Sequence, residues 1–198
     1  SLEKGELGNL ISLFARRTNL ITQSQRLKGR TGVLFFLGIH DFDVLRWMVG
    51  VEAKEVYCMS AKHDRSPYTV EDETFTTIRF ENGVIACAHI GWCIPEGHPS
   101  GFDFKLDITG TNGLLNLDMV RQGVEKHVAG HTTFPPMASP LIAEDRSFVD
   151  AVLYNKDVPV TGEDGLKAVE MTLAALESIK TGKPVSLVSQ YTTKLFRN

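Results

Sequence analysis

Residues 71–93, EDETFTTIRFENGVIACAHIGWC, decide the architecture. The stretch 71–80 reads as a strand that stops at Glu81-Asn82-Gly83. Asn-Gly is the strongest two-residue hairpin signal, because both positions tolerate a positive φ. Residues 84–93 are then the returning strand, apolar on both faces apart from His89. Onward, 94–101 reads as a loop. The next stretch, FDFKLDIT, alternates: Phe102, Phe104, Leu106 and Ile108 share one face, and Asp103, Lys105, Asp107 and Thr109 the other. That is a half-buried strand. Gly110-Thr111-Asn112-Gly113 turns into LLNLDMV, so 71–120 is expected to form an antiparallel meander.

In the other direction, 63–70 reads as a polar loop and 52–62 as a strand. Residues 33–49 predict a largely buried helix, stopped by Gly50, which adopts a left-handed backbone cheaply. Its polar residues, His40, Asp41, Asp43 and Arg46, stand out against the apolar ones. Residues 6–17 read as a strand apolar on both sides, and 18–32 as an irregular loop. From 139 the period becomes helical, with Leu141, Ile142, Phe148, Val149 and Val152 on an amphipathic pattern. A second such helix begins at Gly162 and closes at Gly182, and PVSLVS is a short last strand. The expected fold is α+β: a large, predominantly antiparallel (mixed) open-faced sheet with helices packed on one face.

The chain has 198 residues, 42% hydrophobic and 23% charged, which suits one domain with a substantial core. A net charge of −3 with scattered acids and bases argues against a nucleic-acid partner. No apolar run is long enough to cross a bilayer, and Glu3, Lys4 and Glu6 argue against a leader. Cys58, Cys87 and Cys93 predict reduced thiols at or near the core and hence a cytoplasmic protein. The opening Ser1-Leu2, without Met, reads as an engineered junction, with a processed terminus as the alternative.

No G-x-G-x-x-G or phosphate-binding lysine loop occurs, and the glycines at 110–113 join two strands rather than a strand and a helix. They cannot offer a helix N-terminus to a phosphate. His127 and His131 have metal-ligand spacing for a helix, but the residues between them suggest a loop, so no metal is expected.

Several segments, in order, resemble the C-terminal domain of the glucose–fructose oxidoreductase/inositol dehydrogenase/MocA family. They are GELG at 5–8, GIHDFDVLRWMVG at 38–50, the hairpin at 71–92, ITGTNGLLNL at 108–117, SFVDAV at 147–152 and the closing stretch 158–187. The resemblance implies a domain over residues 3–198 that shapes a substrate pocket and forms oligomer contacts. An N-terminal Rossmann domain, outside this chain, would hold NAD or NADP; no cofactor is expected on this chain alone. The implied partners are a small-molecule substrate, that Rossmann domain, and further copies in a homo-dimer or tetramer through the sheet face.

His40 matches the histidine that, in the family, acts on the substrate hydroxyl or carbonyl, and imidazole titrates in the range this needs. The family's carboxylate four residues earlier is here Phe36, which cannot orient an imidazole or accept a proton. Asp43, three residues after His40, is the candidate replacement, with helix capping or an Arg46 pair as its alternatives. Phe36 is itself a candidate substrate contact; Trp92, beside the 94–101 loop, is a candidate to stack on a sugar or on a partner chain, and Arg17 to meet an acidic or phosphorylated substrate, with core packing and plain solvation as the competing roles. The chain therefore reads as the substrate-side half of a dehydrogenase for a sugar, polyol or related hydroxy compound. The alternatives are a lapsed member serving as a ligand-binding or regulatory subunit, and an oligomerisation module without ligand.

Overall fold

The computed structural model describes residues 5–63, 66–120, 123–129, 131–133 and 139–187. Nine strands form one sheet in the order β8-β7-β6-β5-β1-β4-β3-β2-β9. They are β1 Leu10–Leu20, β2 Ala53–Ala61, β3 Glu73–Phe80, β4 Ile85–Ile94, β5 Phe102–Gly110, β6 Gly113–Asp118, β7 Gly123–Val128, β8 His131–Thr133 and β9 Val185–Ser186. The helices are α1 Thr22–Leu27, α2 Ile39–Val49 preceded by a π-helical turn over Leu34–Gly38, α3 Pro140–Tyr154 and α4 Gly162–Thr181. The fold is α+β with a mixed, mostly antiparallel open sheet, as the sequence predicts.

The meander expected over 71–120 is interrupted. β1 lies between β4 and β5, parallel to β4 with Ala15 beside Ala88, and antiparallel to β5 with Ala15 beside Leu106. A strand apolar on both faces belongs at the centre of a sheet, and the interior place supplies hydrogen bonds on both its edges. Two further corrections concern length and position. The strand read over 6–17 starts and ends later, at Leu10 and Leu20, and the supposed loop after it contains α1. His127 stands on β7 and His131 on β8, on either side of a turn at Ala129. His127 pairs with Thr132 and His131 with Val128, so the two rings leave opposite faces of the ribbon and cannot share an ion.

Side-chain parity sorts the sheet into two faces. Thr74, Thr76, Ile78 and Phe80 of β3 and Ala86, Ala88, Ile90 and Trp92 of β4 are buried under the helices. The covering helices contribute Phe42 and Leu45 from α2, and Ala168, Met171, Ala174, Ala175 and Ser178 from α4. Small residues along α4 let it lie close on β2. There the Ser178 hydroxyl accepts from the Cys58 N–H at 2.9 Å and donates to the Lys183 carbonyl at 2.8 Å. Arg46 joins the end of α2 to the start of α4: it donates two hydrogen bonds to Glu52, at 2.7 and 2.9 Å, and one to Asp164 at 2.7 Å. Asp164 also closes a capping box with Thr161. These bonds raise the Arg46 pKa and hold the Glu52 and Asp164 carboxyls below their usual range.

The 110–113 glycines serve packing. A Cβ on Gly110 would sit 2.2 Å from the Leu7 carbonyl oxygen, and one on Gly113 would sit 2.4 Å from that of His127. Backbone cannot yield that much, so both positions require glycine. Gly50 and Gly182 end α2 and α4 at φ 74° and 68°, the left-handed caps read from the sequence.

The open face of the sheet is divided. On the β2–β4 side it is mixed: Met59, Phe75 and Ile85 are exposed beside Glu55, Thr77 and Arg79, and His89 stacks on Phe75 at 4.3 Å. A cavity of about 380 Å³ opens there between Ser12, Tyr57, Thr77 and Cys87. On the β5–β6 side it is charged: Arg16 pairs with Asp103, Lys105 with Asp118 at 3.0 Å, and Asn116 donates to Asp107 at 2.7 Å. The continuous apolar area expected from β1 and β4 is therefore broken up by charged and polar residues. All three cysteines are free thiols. Burial pushes Cys58 up to about 11 and, helped by Glu73, Cys93 up to about 12, so neither is an activated nucleophile.

Candidate functional site

The π-helical turn and α2 carry the candidate residues. His40, on the first turn of α2, is exposed, whereas its neighbour Asp41 keeps only 2% of its surface. Asp41 is held by Arg17 of β1, whose Nε donates at 2.5 Å. The Arg17 guanidinium also lies 4.4 Å from the centre of the Phe104 ring on β5. Burial raises the Asp41 pKa against the pull of Arg17. The Arg17–Asp41 pair thus fastens the His40 end of α2 to the central strand of the sheet.

Beside this pair is a cavity of about 440 Å³. Arg17 and Asn19 of β1, Phe102 and Phe104 of β5, Leu37 of the π-helical turn, Met119 and Pro140 at the start of α3 line it. Aromatic and aliphatic walls with a few polar groups are the usual lining of a small-molecule site. Among the sequence candidates Arg17 lines this cavity, and His40 lies three residues beyond Leu37 on the same helical run.

The remaining candidates lie apart. Phe36 is half-buried, its ring 6.2 Å from that of Trp92 and 5.5 Å from the Arg26 guanidinium. Trp92 is a correction: it has no exposed surface, and its indole N–H donates to the buried Asp72 at 2.6 Å, so it is core rather than a sugar platform. Asp72 also accepts from Ser24, Ser66 and the His63 N–H, a polar knot that seats α1 on β4. Asp43 is half-buried; its pKa is raised by burial and by Asp164, and among the described residues it makes no hydrogen bond to His40. Among the described residues Asp43 makes no direct hydrogen bond to Arg46, whose guanidinium is engaged with Glu52 and Asp164.

Sequence reading missed Asn19, Phe104 and Asp41. The first lay in a segment read as loop. The second was visible only as the apolar phase of a strand. The third stood out only as a polar residue on an apolar helix, because its partner is 24 residues away.

The molecule is thus a nine-stranded open sheet with one face under helices, an exposed histidine on α2 and, beside Arg17, a cavity with mainly apolar walls. The sequence profile described as GFO/IDH/MocA C-terminal domain matches residues 1–116, and the chain belongs to that family. It is 30% identical to the uncharacterized oxidoreductase YrbE of Bacillus subtilis (strain 168), over 98% of this chain and 59% of that protein. It is 25% identical to a scyllo-inositol 2-dehydrogenase (NAD(+)) of the same organism, over 94% of this chain and 57% of that one. An oxidoreductase from Agrobacterium radiobacter, solved with NAD+, L-tartaric acid and magnesium, superposes with a TM-score of 0.79 at 20% identity. That match covers 93% of this chain and 59% of the other. The chain therefore spans between half and two thirds of the length of these relatives.

Proposed function

We propose that this chain is the substrate-side domain of an NAD(P)-dependent dehydrogenase acting on a sugar, polyol or related hydroxy compound in the cytoplasm. The observation that carries the reading is a cavity lined by Arg17, whose bond to Asp41 anchors the helix on which exposed His40 stands. Nicotinamide, held by a Rossmann domain outside this chain, supplies the hydride chemistry. Here Phe102, Phe104, Leu37 and Met119 offer apolar surface to the C–H faces of a ring, and Arg17 and Asn19 offer hydrogen bonds to its oxygens. His40 exchanges the proton of the reacting hydroxyl. The open face of the sheet, where Met59, Phe75 and Ile85 are exposed, joins copies into a dimer or tetramer.

Calorimetry separates the roles of the two halves. The 198-residue chain should give no micromolar binding of NADH or NADPH, and the full-length protein should bind one of them. Micromolar binding by the chain alone, or none by the full-length protein, contradicts the reading.

One observation favours a second reading. With Phe36 packed against Trp92, no carboxylate stands one turn before His40. A lapsed member that binds ligand without turnover has the same fold. Reduction of NAD(P)+ by the full-length protein with any of a panel of inositols and aldoses decides for catalysis, whereas binding of one of them with no reduction decides for the lapsed subunit.

A further inference from the structure

One row of side chains crosses the open face of the sheet. The strand pairings place Met59 of β2, Phe75 of β3, His89 of β4, Arg16 of β1, Lys105 of β5 and Asp118 of β6 side by side. Met59 and Phe75 are exposed, and Phe75 lies almost flat on the His89 ring, 4.3 Å away and tilted by 12°. The His89 Nε2 meets Oε1 of Glu73, and the two side chains are only 19% and 21% exposed. The Glu73 carboxylate lies over Gly91, its cross-strand neighbour, where a Cβ would collide with it. The Cys93 thiol donates to the same carboxylate.

The acids of this face have two kinds of partner. Asp103 is paired with Arg16 and Asp118 with Lys105, cations that keep their charge through the neutral range. Asp107 accepts from the Asn116 amide, and Glu55 stands opposite Arg79. Glu73 depends instead on an imidazole, a group that gains and loses its charge between about pH 5 and 8. A second pair of that kind, His127 with Glu125 at 3.2 Å, is on β7, separated from β4 by β6, β5 and β1.

We propose that the Glu73–His89 pair is a pH switch on assembly: copies associate through the open face when His89 is protonated and separate when it is neutral. The inference rests on the reading above that this face joins copies, and it adds the group that controls the contact. Protonated, His89 neutralises Glu73 and stacks a cation on the Phe75 ring that the second copy meets. Neutral, it leaves Glu73 an anion. A second copy would strip that anion of its remaining water without supplying a counter-charge, which costs more than covering a matched pair. Arg16, the next cation in the row, is engaged with Asp103, and the Cys93 thiol, pushed up to about 12, stays neutral. Assembly therefore takes up protons, and dissociation grows as pH rises through the histidine range.

Sedimentation velocity of the 198-residue chain at about pH 6 and about pH 8 tests this, with unfolding midpoints at both to confirm the fold. The native dissociation constant should rise by about tenfold or more between the lower and the higher pH. His89→Gln, neutral at both, should associate weakly at both. Glu73→Gln removes the anion and should associate at the higher pH as tightly as the native chain does at the lower. That variant decides the matter even where His89→Gln fails to fold. His127→Gln should keep the native dependence. Equal native constants at the two pH values, a dependence that survives in His89→Gln, or weak association of Glu73→Gln at the higher pH each overturn the switch and leave the sheet contact standing. A dependence lost in His127→Gln moves the control to β7 and overturns it too. A monomer at both pH values sinks the sheet contact and the switch together.

Discussion

α3 and α4 are neighbours in the chain, both amphipathic, and start from similar signals: Pro140 at the first position of one, the Thr161–Asp164 capping box at the start of the other. Their fates differ. α4 buries seven residues on the sheet and is tied to α2 through Arg46, whereas α3 buries none. An apolar stripe states that a helix will be covered; it does not state by what. The side of the molecule with α4 is finished within this chain, and the side with α3, His40 and the cavity faces outward.

Truncations sharpen the contrast. Phe42, fully buried beneath α2, should cost about 3–5 kcal/mol when changed to Ala, and Met171→Ala on α4 about 2–4 kcal/mol, both read by urea unfolding of this chain. Costs below about 1 kcal/mol would mean that this side is not closed as described. Arg46→Met should cost about 1–2 kcal/mol, because its carboxylate partners stay partly solvated after the loss. Phe148→Ala on α3, by contrast, should stay within about 0.5 kcal/mol in this chain. A larger effect would show that α3 already packs on the sheet.

The Arg46 network also has a pH signature. Glu52 and Asp164 have folded pKa values lowered below their unfolded ones, so the unfolded state binds protons first as pH falls. Their contribution is present above about pH 4.5 and is lost as pH drops through and below the normal carboxylate range. Asp41 works in the opposite direction. Its folded pKa is raised, so its contribution is greatest at acid pH and declines as pH rises through the folded value. Stability of the native chain should therefore fall below pH 4.5, and Arg46→Met should flatten that fall. An unchanged slope in the variant would assign the acid sensitivity elsewhere.

What could be read from the sequence was local. Asn82-Gly83, the Phe102–Ile108 alternation, and Gly50 and Gly182 each act within a few residues, and each appears where expected. The insertion of β1 between β4 and β5 had no such signal, because its pairings join segments more than seventy residues apart. β7 was missed because its alternation, Val124, Lys126 and Val128, is half polar, and Lys126 is held by Glu6 rather than by solvent alone. At the site, the family motif brought out His40, but the Arg17–Asp41 bond that anchors its helix was legible only as two separate charges. Trp92 was misplaced because a large aromatic beside a glycine-rich loop looks the same in sequence whether its partner is a sugar or Asp72.

The central claim is that His40 meets the reacting group of a substrate. The most direct measurement is steady-state turnover of the full-length protein with its best polyol or sugar, native against His40→Ala, with folding checked by unfolding midpoint. His40 is exposed, so the midpoint should not move. The account predicts that kcat falls by about 10²–10⁴, the range for a general acid–base group. An unchanged kcat at an unchanged midpoint would contradict it.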